Sequence, residues 1–332
     1  MKRRIISLAL VIISIGFVAC KKDKTEGVPV DQLSLDRLTA IDNAVLPQEY
    51  YTDAAFTNEN TGYAISNAGA IIKTTDGGHN WIALQSNVST FLEEIQFTDQ
   101  QTGYVIGGDE QVSYVLKTNN AGASWTTINL NTPEAGRPSG LWFINNNNGF
   151  VTGPGFFLKT SNGGANWTNV LPAEAGNFYD VKFSNATMGI ATTDNGAYYK
   201  TTDGGQNWQR VETDPNNQLR EIYVAGSEFY MRSGNKLIPA NAGKPSLTIP
   251  AAVHELHFID GNRSIGIGQH YETGFWPYGD IFITNNGWSS SSSKKYMPDV
   301  ALSFSAIAKM KDRKYIMLGT GHLKVSVVTL EY

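Results

Sequence analysis

The 332-residue chain has one cysteine, Cys20, so no intramolecular disulfide can staple it. Its five histidines are scattered. The tightest pair, in "HELH" at 254–257, falls one residue short of the zinc-protease HExxH spacing, and strand alternation would send His254 and His257 to opposite faces. No GxGxxG or other phosphate-binding loop occurs. Only 17% of residues are charged, and runs of Ala, Leu, Glu or Lys are few. What is plentiful is 15 Tyr, 15 Phe, 7 Trp and 33 Gly, a balance that favours strands and tight turns and an all-β fold. The length allows one large β domain or two ordinary ones.

The opening "MKRRIISLALVIISIGFVAC" has a basic head, Lys2 to Arg4, then an uncharged apolar stretch from Ile5 to Ala19 that is short for a membrane span. It reads as a secretory signal. "FVAC" resembles the lipobox of bacterial lipoproteins, with Phe17 where an aliphatic residue is usual. The resemblance implies a signal over 1–19, lipidation of Cys20, and anchoring by several acyl chains. A cleaved signal with an incidental cysteine and an uncleaved anchor are the other readings. Residues 20–33, containing "KKDKTEGVPVDQ", are polar and aperiodic and read as a flexible tether. Loss of the signal leaves 23 Lys and Arg against 30 Asp and Glu, a net charge of about −7, which argues against nucleic acid as a partner.

A nonapeptide recurs: "KTTDGGHNW", "KTNNAGASW", "KTSNGGANW" and "KTTDGGQNW", opened by Thr74, Thr118, Thr160 and Thr201 at spacings of 44, 42 and 41, with a shortened "ITNNGW" at Thr284. In step with it run "FTNENTGYAIS", "FTDQQTGYVIG", "FINNNNGFVTG", "FSNATMGIATT" and "FIDGNRSIGIG". Together they make a four-stranded unit of about 42 residues, the size of a propeller blade. Degenerate copies fill blade five, "REIYVAGSEFYMRSGNKLI", and blade seven, "SAIAKMKDRKYIMLGTGHLKVSVV". Blade seven runs out of chain after three strands, so "SLDRLTAI" at 34–41 is expected to supply its fourth and close the ring. The expected fold is a seven-bladed β-propeller over 34–332, and a monomer.

The repeated peptide resembles the Asp-box, or bacterial neuraminidase repeat. With "TGYAIS" ahead of "KTTDGGHNW", it is similar to propellers related to photosystem II stability and assembly factors. That resemblance implies a scaffold with chaperone-like binding through an arginine-rich patch, and no arginine cluster is visible in this sequence. In the box, the acidic or amide residue (Asp76, Asn120, Asn162, Asp203) accepts turn amides, and glycines at 78, 122, 164 and 205 permit the turn. Trp81, Trp125, Trp167 and Trp208 pack on the blade. Because Asn replaces Asp twice, and an amide is neither a general base nor a strong cation ligand, the box is expected to be structural.

Ala54/Phe56, Ile95/Phe97, Leu141/Phe143, Val181/Phe183, Ile222/Val224, Leu256/Phe258 and Ala306/Ala308 align as the core-facing pairs of the innermost strands. The residue before each pair is Asp53, Glu94, Gly140, Asp180, Glu221, Glu255 and Ser305. Two readings follow for the five carboxylates. Either they ring the channel mouth and bind a cation, an amine or a basic peptide, or each holds backbone at a blade junction. Trp142, Tyr179, Lys182, Arg220, Tyr223, His254 and His257 are expected beside them as a mixed aromatic and polar patch. "GQHYETGFWPYGD" at 268–280 inserts aromatics into blade six, either as a cover or as a binding loop, and "SSSSSKK" at 289–295 reads as a solvated edge or loop.

Sialidases also carry Asp-boxes, and need three arginines, a Tyr/Glu nucleophile pair and an Asp acid/base. The chain after Cys20 has seven Arg, none in the Arg-Ile-Pro context that opens that pattern. A glycoside hydrolase using Asp180, Glu221 and Glu255 is the second reading. The first is a non-catalytic, cofactor-free binding or assembly scaffold of the cell envelope with a protein or glycan partner.

Overall fold

Gly62, Gly103, Gly149 and Gly189 open the second strand of blades one to four. A Cβ at any of them would come within 2.4–2.6 Å of the ring of Phe56, Phe97, Phe143 or Phe183, so the aromatic lies flat on bare backbone. The same four rings meet Trp81, Trp125, Trp167 and Trp208 edge-on, with centroids 5.9–6.2 Å apart. Each box tryptophan is thereby fixed to its own blade. The residue after the glycine carries the packing onward: Tyr63 stacks on Phe97 at 4.1 Å and Phe150 on Phe183 at 5.3 Å, each across a blade junction.

The computed structural model describes residues 32–41, 46–47, 49–132, 136–172, 176–270, 278–296, 302–311, 313–321 and 325–331. The signal, Cys20 and the tether up to residue 31 lie outside the described residues, as do the blade-six aromatics at 271–277. The described chain forms seven four-stranded antiparallel sheets. The innermost strand of each touches the next, and that of the seventh returns to the first, which closes a seven-bladed propeller. In blade seven the order from outside in is Leu38–Ala40, Val325–Glu331, Lys314–Gly321 and Leu302–Lys311. Leu38 faces Leu330 and Ala40 faces Val328, so the N-terminal strand does supply the missing one.

The hydrophobic core is divided among the junctions. Tyr63, Ile65 and Ile71 of blade one pack on Leu92, Ile95 and Val105 of blade two, and Ile265, Ile267 and Ile281 of blade six pack on Phe304, Tyr315 and Met317 of blade seven. Leu33 lies in that last cluster, 3% exposed. The boxes bind blades as well. Each Thr hydroxyl accepts the amide of the glycine four residues on, at 2.9–3.0 Å in blades one to four. Asp76, Asn120, Asn162 and Asp203 accept the amides of Asn80, Ser124, Asn166 and Asn207. The lysine that opens the box crosses the junction: Lys73 donates to the Ala121 carbonyl, Lys117 to Gly163 and Lys159 to Gly205, at 2.7–2.9 Å.

Candidate functional site

All boxes hang at one end of the propeller, which we call the base. The innermost strands begin at the other end, the mouth, where register shifts mark a β-bulge: between Tyr51 and Asp53, Leu92 and Glu94, Phe178 and Val181, Val253 and Glu255, and Phe304 and Ala306. A bulge puts two residues opposite one and re-aims side chains. In blades one, two, four and six both the acid and its predecessor accordingly line the channel mouth, whereas Phe304 of blade seven is buried in the core. One consequence corrects the expected alternation in "HELH". His254 donates from Nε2 to the Phe304 carbonyl at 2.6 Å, and His257 lies 4.9 Å from the Tyr315 ring, so both face blade seven.

All twelve residues assigned to the mouth from sequence line one cavity of about 820 Å3: Asp53, Glu94, Asp180, Glu221, Glu255, Trp142, Tyr179, Lys182, Arg220, Tyr223, His254 and His257. Glu93, Arg137, Pro138, Ser139, Pro154 and Lys309 join them. Arg137 sits in the connection ahead of blade three, outside the repeated strands, so the repeat carries no signal for it.

The acids are not equivalent. Asp53 accepts the Ile95 amide at 2.9 Å, Glu94 the Leu141 amide at 2.7 Å and Asp180 the Ile222 amide at 2.8 Å. Glu255 accepts the Ile307 amide. In each case the amide belongs to the innermost strand of the next blade. Four of the five carboxylates are thus committed to blade junctions. Glu221 is the exception: its side chain is 50% exposed, and the junction it would have served is held by Arg232, whose guanidinium donates to the carbonyls of Val253 and His254 at 2.6 and 2.8 Å. Blade three lacks an acid for a steric reason. A Cβ on Gly140 would lie 2.5 Å from Thr152 Oγ1 and 2.7 Å from the Asp180 Cα.

Lys182 compensates the buried charge. Its ammonium bonds the Glu94 carboxylate, lies 3.3 Å from Asp180 Oδ1, and sits 5.4 Å from the centre of the Trp142 ring. Burial alone would lower the Lys182 pKa, but Asp180 and Glu94 hold it above the ordinary lysine value. Burial pushes Asp53 up to about 6 and Glu93 up to about 7. Burial likewise raises Glu94 and, well beyond the usual range, Glu255. The ion cluster is therefore the floor of the cavity. What it presents above the floor is Trp142, Tyr179 with Arg220 stacked 4.4 Å over its ring, the exposed Arg137, and Glu221.

A family model described as photosynthesis system II assembly factor YCF48 matches residues 41–186 and, in an overlapping register, 83–235, together more than half of the chain. The chain belongs to the YCF48 family. Two solved YCF48 structures share the fold: "YCF48 bound to D1 peptide", at 17% identity and TM-score 0.68, covers 90% of this chain and 98% of its own, and YCF48 from Cyanidioschyzon merolae, at 15% and 0.66, covers 89% and 98%. The GH74 enzyme of Niastella koreensis matches at 16% identity and TM-score 0.66, over 86% of this chain and 53% of its own. No curated protein matches. At these identities the solved structures establish the propeller alone.

Proposed function

We propose that this protein is a non-catalytic scaffold, lipid-anchored in the bacterial cell envelope through Cys20, that binds a segment of another protein at the mouth cavity. The observation that carries the reading is how the carboxylates are used: four of five hold the next blade's backbone, so the cavity offers a partner Trp142 and two cation–aromatic stacks, Arg220 on Tyr179 and Arg137 on Phe91. A glycosidase needs two carboxyl groups free to act on one bond, and of Asp180, Glu221 and Glu255 the first and last already accept the Ile222 and Ile307 amides, which leaves Glu221 alone. The peptide recorded with a YCF48 relative supports a polypeptide as the ligand class. The nearest substitute is a glycan packed on Trp142 and Tyr179.

The test is a crosslinked pull-down from cell envelopes with the lipidated protein, beside Trp142→Ala and Arg220→Ala. A specific protein partner that both variants lose, with circular dichroism unchanged, supports the scaffold. Turnover of a glycoside by the wild type, or retention of a glycan but no protein, replaces it with the second reading.

A further inference from the structure

We infer that the cavity mouth faces away from the membrane that holds the protein, so that its partner reaches it from the aqueous side. This rests on the lipid-anchor reading. The geometry that points to it lies within the propeller. The chain enters at the base: the Leu33 amide donates to Asn285 Oδ1 at 2.8 Å and the Asn285 side-chain amide donates back to the Leu33 carbonyl at 3.0 Å. Asn285 follows strand Tyr278–Thr284, in the shortened box of blade six, at the same end as every other box. Leu33 is buried among blade-six and blade-seven side chains, and a turn of 3-10 helix capped by the Ser34 hydroxyl leads directly into Leu38–Ala40. That strand runs antiparallel to Val325–Glu331, away from the base.

This entry is pinned by two hydrogen bonds and a buried leucine, so an anchor attached through it pulls on the base. The twelve residues between Cys20 and Leu33 can span at most roughly 40 Å. Presenting the mouth to the membrane would spend about half of that reach on climbing the outer side of blade seven, roughly the 20 Å length of a strand. A partner embedded in the same membrane would meet the base and not the cavity. A loop, tail or domain projecting into the aqueous compartment would meet the mouth.

Cys20 is the only cysteine and is acylated on this reading, so introduced thiols can be labelled singly. Ala68 is exposed in the mouth-side turn between Gly62–Ser66 and Ile71–Thr74, and Ala123 is exposed in the base-side box between Ser113–Thr118 and Thr126–Asn129. The full lipidated chain carrying Ala68→Cys or Ala123→Cys, each labelled with a fluorescent donor, is reconstituted into phospholipid vesicles bearing acceptor lipid. Energy transfer is expected to be about twofold or more greater from position 123, given the roughly 20 Å strand length between the labels. Should either variant fold poorly, Glu110→Cys at the mouth and Gln101→Cys at the base repeat the comparison, both positions being exposed. Equal transfer, or more from the mouth, in protein that floats with the vesicles overturns the orientation and leaves the anchor standing. Protein that does not float overturns the anchor reading and this inference together.

Discussion

Lys182 illustrates how much a single side chain carries at the mouth. Replacing it by Met leaves Glu94 and Asp180 without their counter-ion in a largely buried site, a change expected to cost about 3–5 kcal/mol and to be read as a lower urea midpoint. An unchanged midpoint would mean the cluster is already neutral. The carboxylates also set a pH dependence whose sign can be worked out. The folded pKa values of Asp53, about 6, and Glu93, about 7, lie above the ordinary 3.8 and 4.5, so the folded state holds these protons more tightly than the unfolded chain. Their contribution is full below about pH 4 and is lost as pH rises through 6 to 7. In the opposite sense, Asp76, Asp99 and Asp260 have lowered values and stop stabilising as pH falls below the usual carboxylate range. Unfolding by urea should therefore be hardest near pH 4 to 5 and easier at pH 8. Asp53→Asn keeps an acceptor for the Ile95 amide while removing the charge, so it should flatten that decline by roughly 2–3 kcal/mol. A wild-type midpoint that rises from pH 5 to pH 8 would contradict the assignment.

At the scale of the strand and the hairpin, the box is a clamp between blades, and its lysine is the part that reaches across. Lys117→Met removes a charge-assisted hydrogen bond to the Gly163 carbonyl and should cost about 1.5–3 kcal/mol. Lys200 opens the fourth box but faces a blade five with no box of its own, where the Tyr198 hydroxyl bonds the Ala240 carbonyl instead. Lys200→Met should change the midpoint by less than about 0.5 kcal/mol; equal costs at both sites would show that the lysines act by covering apolar surface and not by the junction bond. The contrast also shows what sequence could and could not disclose. The phase of "TGY" and "KTTDGG" was legible because each copy repeats the same steric problem, a ring on a glycine and a turn on a threonine. The register of the innermost strands followed, and with it every residue of the acidic ring. What the acids do was legible only as two alternatives, a binding ring or backbone clamps at the junctions, and four of the five are clamps. Which holds depends on a β-bulge, which leaves no residue pattern, and on an amide some 42 residues away whose position is set only when neighbouring blades pack. Arg137 and Glu93 were missed for the same reason, since a connection and a bulge have no place in strand alternation.

For the whole molecule, closure is what turns seven sheets into one structure. Each blade buries its faces only against its neighbours, so an open ring exposes apolar surface at the gap as well as an unpaired strand. The N-terminal strand prevents this with few residues: three backbone pairs to Val325–Glu331, Leu33, Leu35 and Leu38 packed on the junction of blades six and seven, and Ile41 on that of blades seven and one. Full burial of a large aliphatic side chain contributes about 1.5–3 kcal/mol; Leu33 is fully buried and the other three partly, so the segment supplies several kcal/mol, a large share of the net stability of an ordinary domain. A chain that starts at Gln32 retains all of these contacts; one that starts at Leu46 retains none. The first should unfold in urea at the same midpoint as the full soluble domain. The second should either lose its cooperative transition or associate through the exposed Val325–Glu331 edge, which sedimentation velocity would detect as dimers and larger species. Two monomeric chains with equal midpoints would mean that the three C-terminal strands close the ring unaided. The strand at 38–40 would then serve only to fix the chain's entry at the base.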